Sequence, residues 1–242
     1  MRLPYDPAVT DEEMLTAAVR NNAAWCHAMS RAHGLTGAFG PRAWTSPRRT
    51  PLYYPDGVSL TADATAADVL AGVDRTAGAS VKDSYARLDL APEGFRPLFD
   101  ATWIGRPAGV PAATPGGAAD WIRIDTPDAL AAWALAWSGG DAGAADLFRP
   151  ALLGDPAVTV VAVPGPGGRI LGGAVLSTGA GATGVSNLFA ADGTEPAAVW
   201  AAALAAADPA LPVVGYESGD DLTAARAAGF ADLGPLRIWL AA

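Results

Sequence analysis

The chain reads as a mixed α/β fold, and three observations predict it. From Trp121 onward, short apolar runs of β character alternate with segments of helical spacing. Residues 158–163 and 170–177 flank a Pro/Gly turn at 164–169 and read as a hairpin. The segment 211–240, LPVVGYESGDDLTAARAAGFADLGPLRIWL, reads as strand, short helix, Gly-Phe hinge and closing strand.

The clearest N-terminal element is a helix over 11–33. Thr10 caps it, Glu13 completes a capping box, and Gly34 ends it. Leu15, Ala18, Val19, Trp25 and Met29 fall near helical spacing along it. Residues 35–56 are irregular, rich in Gly, Pro, Arg and aromatics. A strand is expected at 58–60, a helix at 64–73, an alternating strand at 81–88 and another at 95–104. The stretch 107–119, PAGVPAATPGGAA, is dense in Pro and Gly, carries no charge and reads as a linker. Beyond it come a strand at 121–125, helices at 127–137 and 144–153, and the hairpin. A strand at 185–190, a helix at 195–207, a strand at 213–216, a helix at 221–227 and a strand at 236–240 complete the order.

Composition narrows the function. A net charge of −9 disfavours nucleic acid, which calls for a basic face. No apolar run approaches the roughly 20 residues that span a bilayer, and the opening residues MRLPYDPAVTDEEM contain no apolar core of a secretory signal. A cytoplasmic protein acting on a small molecule, without membrane or nucleic-acid partners, is the expectation. Eight tryptophans could serve a homodimer interface without arguing for one. One lysine, Lys82, stands against fifteen arginines in an Ala-, Gly- and Pro-rich chain, a bias that suggests a GC-rich, actinobacterial genome.

The single cysteine, Cys26, excludes an internal disulfide and reads as a core thiol. His27 and His33 are the only histidines. Six positions apart on a helix, they point about 240° apart and cannot share a metal, so no metal site is expected. Cys26 and His27 are helical neighbours that do not face each other. No nucleophile elbow, P-loop or dinucleotide fingerprint is present, and the glycines of 165–173 read as a hairpin turn.

The order strand, two helices, three-stranded meander, helix, strand, helix, strand over 121–242 resembles the GNAT superfamily of N-acyltransferases. The resemblance implies a mixed, mostly antiparallel sheet flanked by helices. It extends in part to the first half, where VKDSYARLDLAPEGFRPLFDATWI at 81–104 forms a weaker copy of the C-terminal segment. The two align on Gly94-Phe95 and Gly229-Phe230, each with an acid-serine pair upstream (Asp83-Ser84, Glu217-Ser218) and a tryptophan downstream (Trp103, Trp239). Two unrelated corners would look similar in so Ala/Gly-rich a chain. The favoured reading is a tandem design: a degenerate GNAT-like half at 1–106, a linker at 107–119 and a full GNAT-like domain at 120–242.

If the chain is active, the resemblance implies acyl transfer from acetyl-CoA or another acyl-CoA to an amine. The alternative is a ligand-binding or interaction protein that keeps the fold without normal CoA binding. The family's pyrophosphate loop, Q/R-x-x-G-x-G/A, corresponds to NLFAADGTEPAAVW at 187–200. The resemblance makes Asn187, Phe189, Ala190, Ala191, Gly193 and Thr194 the cofactor-contact candidates. This loop lacks an Arg or Gln at its first position and carries Asp192 and Glu195, which would repel a pyrophosphate. Where many family members carry a proton-donating Tyr, this chain has Ala225, and Leu90 in the first copy. Ser186 and Asn187 stand where a catalytic carboxylate often lies. Tyr216 and Glu217 are the candidates for proton transfer, and capping of the next helix stays open for Glu217. The segment 39–56, FGPRAWTSPRRTPLYYPD, joins Arg42, Arg48 and Arg49 to Trp44, Tyr53 and Tyr54. It reads either as a site for an anionic or aromatic substrate or as an arm wrapping the core.

Overall fold

Helix α1 (Asp11–Ala32) starts at its capping signal: the Thr10 hydroxyl accepts the Glu13 N–H, and the Glu13 carboxylate accepts the Thr10 N–H. Gly34, at φ 71°, adopts the left-handed turn that lets the chain leave the helix. The structure is a computed structural model that describes residues 10–111 and 120–242. Residues 1–9 and most of the expected linker, 112–119, lie outside the described residues. One face of α1 (Met14, Ala18, Val19, Trp25, Cys26, Met29) is buried against the sheet, at the three- and four-residue spacing that a packed helix requires.

The sheet gathers eleven strands in the order β1-β2-β3-β4-β11-β5-β10-β9-β8-β7-β6. The strands are β1 (Ala38–Phe39), β2 (Ala43–Thr45), β3 (Gly57–Ser59), β4 (Ser80–Asp83), β5 (Phe95–Arg106) and β6 (Ile122–Ile124). They continue with β7 (Val158–Pro164), β8 (Ile170–Gly179), β9 (Ala182–Ala190), β10 (Val213–Glu217) and β11 (Ala231–Ala241). Among the described residues only β3/β4 and β9/β10 pair in parallel. Those two pairs are bridged by helices α2 (Ala66–Leu70) and α5 (Pro196–Ala206), as parallel neighbours demand a crossover.

The order is nearly a mirror about the central β11/β5 pair. Outward from it lie β4, β3, β2 on one side and β10, β9, β8 on the other, and each closing strand crosses over: β5 pairs with β10 and β11 with β4. Both closing strands follow a left-handed glycine, Gly94 at φ 85° and Gly229 at φ 91°, and a buried phenylalanine, Phe95 and Phe230. Each glycine-phenylalanine pair thus stands at the entry to a closing strand.

Successive strand residues face opposite sides. Val160, Ala162 and Val175 pack with α1 and α3 (Pro127–Trp137), whereas Val161, Ala174 and Leu176 pack with Trp200 of α5 on the other face. Phe230 joins that second cluster below α6 (Gly219–Ala227). The two faces also divide Lys82 and Ile238, paired in register on the α1 face, from Val81 and Trp239, buried with α2. Among the described residues no helix is long and apolar enough to cross a membrane.

Several boundaries depart from the sequence reading. Residues 35–56, expected to be irregular, contain β1 and β2, the helix expected at 64–73 is confined to Ala66–Leu70, and the strand expected at 185–190 begins at Ala182. The strand expected at 81–88 stops at Asp83, whose carboxylate accepts the N–H groups of Tyr85 and Leu88 while Ala86 turns through φ 51°. The helix expected at 144–153 is two short pieces. Asp141 caps α4 (Ala142–Ala145), and then Pro150 forces extended backbone at Arg149 and opens a separate 3-10 turn, Pro150–Gly154. The closing strand begins five residues earlier than residue 236, at Ala231, because β5 offers it partners along nearly its whole length.

Candidate active site

The site begins with a defect in the sheet. Parallel strands β9 and β10 pair only at Thr183↔Val213 and Gly184↔Val214, and beyond these points they diverge. Across β9 the pairing with β8 shifts from Val175↔Ser186 to Gly173↔Phe189, so Asn187 and Leu188 together face Ala174. That is a β-bulge, which bends its strand and interrupts the ladder. Asn187 takes φ 52°, a conformation most side chains avoid and asparagine tolerates. The bulge turns β9 away from β10 and opens a wedge between them.

A cavity of about 230 Å³ fills the wedge. Its walls come from four parts of the chain: Asn187 of β9, Tyr216 and Glu217 of β10, Asn22 and Cys26 of α1, and Lys82 of β4, roofed by Tyr54. Tyr54 donates its hydroxyl to Asn187 Oδ1 at 3.1 Å, bridging the 39–56 segment to the bulge. Burial pushes the Tyr54 phenol well above its usual value. The Cys26 thiol is also raised by burial, with the Lys82 charge opposing, so it stays protonated.

Glu217 stands at the tip of β10. Removal from water, reinforced by the neighbouring charge of Asp221, lifts its pKa to about 8. Its carboxylate takes no hydrogen bond among the described residues, and Ser218 rather than Glu217 occupies the cap position of α6, itself without a side-chain cap bond. Tyr216 lies edge-on to Trp103 at 5.4 Å, and the Lys82 ammonium rests 4.2 Å from the centre of its ring. A second, larger cavity of about 570 Å³ lies on the same face beside β4, β5 and β11, and shares Tyr54, Lys82 and Tyr216 with the first.

The structure brings together Tyr216, Glu217, Asn187, Tyr53 and Tyr54 of the residues singled out from sequence. Tyr53 is 69% exposed, at φ 71°, and reaches edge-on to Trp137. Arg49 borders the larger cavity but is tied to Asp56 at 2.6 Å and to Thr76. The other members of the arm lie elsewhere. Trp44 is fully buried with its indole N–H on His27, Arg48 donates to the Gly34 carbonyl, and Arg42 makes exposed ion pairs with Asp63 and Asp68. Most of the arm thus holds the core together, and its tip covers the site.

Of the loop candidates, Phe189 packs edge-on against Trp133, and Ala190 pairs with Gly172 of β8. The Ala191 N–H donates to Leu171, and the Thr194 N–H donates to Ala191. Gly193 turns the loop at φ 81°. Glu195 sits at the cap position of α5 without a side-chain cap bond. Sequence reasoning passed over Lys82, Asn22 and Cys26 as site residues. The one available signal was that Lys82 is the sole lysine.

No protein-family model matches the chain, and no curated protein matches it. Solved structures do. A GCN5-related N-acetyltransferase from Kribbella flavida superposes with a TM-score of 0.62 at 12% identity, over 93% of this chain and 95% of its own. A putative acetyltransferase of the GNAT family from Novosphingobium aromaticivorans gives 0.52 at 12% identity, over 90% and 96%. A Drosophila protein gives 0.52 at 14% identity, over 96% and 97%. With its splayed parallel strands, bulge and mostly antiparallel sheet flanked by helices, the chain has a GNAT-like fold, shared with these acetyltransferase structures.

Proposed function

We propose that this protein transfers an acyl group from a CoA thioester to the nitrogen of a small amine in the wedge between β9 and β10. The observation that carries the reading is Glu217, a carboxyl group with a pKa of about 8 that lines the cavity and has no hydrogen-bond partner among the described residues. An amine reaches the site as an ammonium ion and must lose a proton before it can attack. A carboxylate matched to neutral pH takes that proton far better than one with an ordinary pKa. Glu217 can then return that proton to the departing sulfur while the nitrogen, once acylated, releases a second proton to solvent, leaving an amide, a free thiol and one proton.

The thioester supplies the activated carbonyl. Asn187 and Leu188 at the bulge would hold it, since the interrupted ladder there is where backbone donors become available to a ligand. The N-termini of α5 and α6 follow the ends of β9 and β10, so both face the open edge of the wedge. The residues there are Asp192, Glu195, Asp220 and Asp221, all acidic. They repel the pyrophosphate end of the donor, so donor affinity is expected to be weak. We also infer that the mirrored strand order and the paired glycine-phenylalanine corners derive from a duplicated design.

Calorimetric titration with acetyl-CoA tests the proposal. Saturable binding with heat stabilisation is expected, and no binding at millimolar donor would overturn it.

A further inference from the structure

Lys82 is the least expected residue in the interior. It is 2% exposed, and its ammonium donates to Asn22 Oδ1 at 2.6 Å. It lies over the Tyr216 ring and 6.0 Å from that of Trp103, with no carboxylate paired to it among the described residues. A buried charge with one neutral acceptor and two π faces is only partly compensated, and its desolvation is costly. Such a group is stabilised when an anion arrives.

Both cavities border Lys82, and their linings differ. The smaller one joins it to Glu217. The larger one is walled by Leu52, Leu98, Phe99, Ile238 and Leu240, where Arg49 is already neutralised by Asp56. Leu98 and Phe99 remain 47% and 43% exposed, so the apolar wall continues to the surface. A cationic anchor, a proton acceptor and a large apolar chamber therefore converge around Tyr216.

We propose that the acyl acceptor is an α-amino acid with a bulky apolar side chain. Its carboxylate pairs with Lys82, its amino group points to Glu217, and its side chain fills the chamber beside β4, β5 and β11. The assignment rests on the acyl-transfer reading for its use, and on the cavities alone for its chemistry.

The test separates the two. L-Phenylalanine and phenethylamine, which lacks only the carboxylate, are titrated calorimetrically into the protein without any acyl donor. Phenylalanine is expected to bind at least about tenfold more tightly, the scale of a hydrogen bond to a charged group. In Lys82→Met, checked for a cooperative melt, that preference is expected to disappear. Equal affinity of the wild-type protein for the two compounds, or no binding of phenylalanine, would overturn the proposal without need of the variant. Adding acetyl-CoA then reads the reaction itself. Phenylalanine binding without N-acetyl product sinks acyl transfer and leaves the pocket standing, whereas acetylation of both compounds with equal efficiency sinks the pocket and leaves acyl transfer.

Discussion

Glu217 is the residue on which the proposed chemistry turns, and its protonation makes two opposed predictions. Folded, it keeps its proton up to about pH 8, whereas its reference value is 4.5. Between those values the folded state holds more protons than the unfolded one, so stability falls as pH rises. The contribution is complete below pH 4.5 and lost above about 8. Melting wild type and Glu217→Gln at about pH 5 and about pH 9 should show the variant gaining relative stability at the higher pH. Catalysis runs the other way, because only the carboxylate accepts a proton. The rate should climb toward pH 8, and Glu217→Gln should lower kcat by roughly 10²–10⁴-fold, measured by product formation. A flat pH profile with full activity in the variant would remove Glu217 from the mechanism.

At the level of elements, α1 is held to the sheet by a polar clamp as well as by its apolar face. Asn21 is buried, donates to the carbonyls of Ser177, Gly179 and Ala182 at the β8–β9 turn, and accepts from the Ser177 hydroxyl. Gly184 leaves the space its side chain occupies. Asn21→Ala leaves those acceptors without a donor, and a loss of about 1–3 kcal/mol in denaturant unfolding is expected. On the opposite edge, replacing Asp192 by Gly and Glu195 by Arg should tighten acetyl-CoA binding, read by calorimetry. Unchanged affinity would mean that repulsion is not what limits the donor.

The same elements explain what the sequence made visible. The start of α1 was legible because a capping box is local, written in residues 10 and 13. The end of β4 was not, since the Asp83 carboxylate replaces ladder bonds with loop bonds. The bulge at Asn187 was hidden as well, because it exists only in the pairing of β9 with β8. Tyr216 and Glu217 could be placed near the cleft from the strand they end. Lys82 could not, for nothing in its own strand reveals that Asn22, sixty residues away, meets it.

Across the whole molecule, the exchange of closing strands makes each half depend on the other. Residues 120–242 alone lack β5, which separates β10 from β11 and pairs with both. That fragment should expose long unpaired strand edges and aggregate or melt without cooperativity. Mixing it with a fragment of residues 1–111 should restore a cooperative transition and near-ultraviolet circular dichroism. A sharp thermal transition in the isolated fragment would show that the crossing is dispensable.

The position of β11 also sets a timetable. It lies at the centre of the sheet, yet it follows every other described strand in the chain, and Ala241 closes the ladder against Ala79 and Gly78. On the ribosome, β4 and β5 emerge early and must wait for it with their pairing edges open. Many proteins fold their first domain while the rest is still being made. This one cannot complete its sheet until β11 has emerged, and until then the edges of β4 and β5 that pair with it stay open.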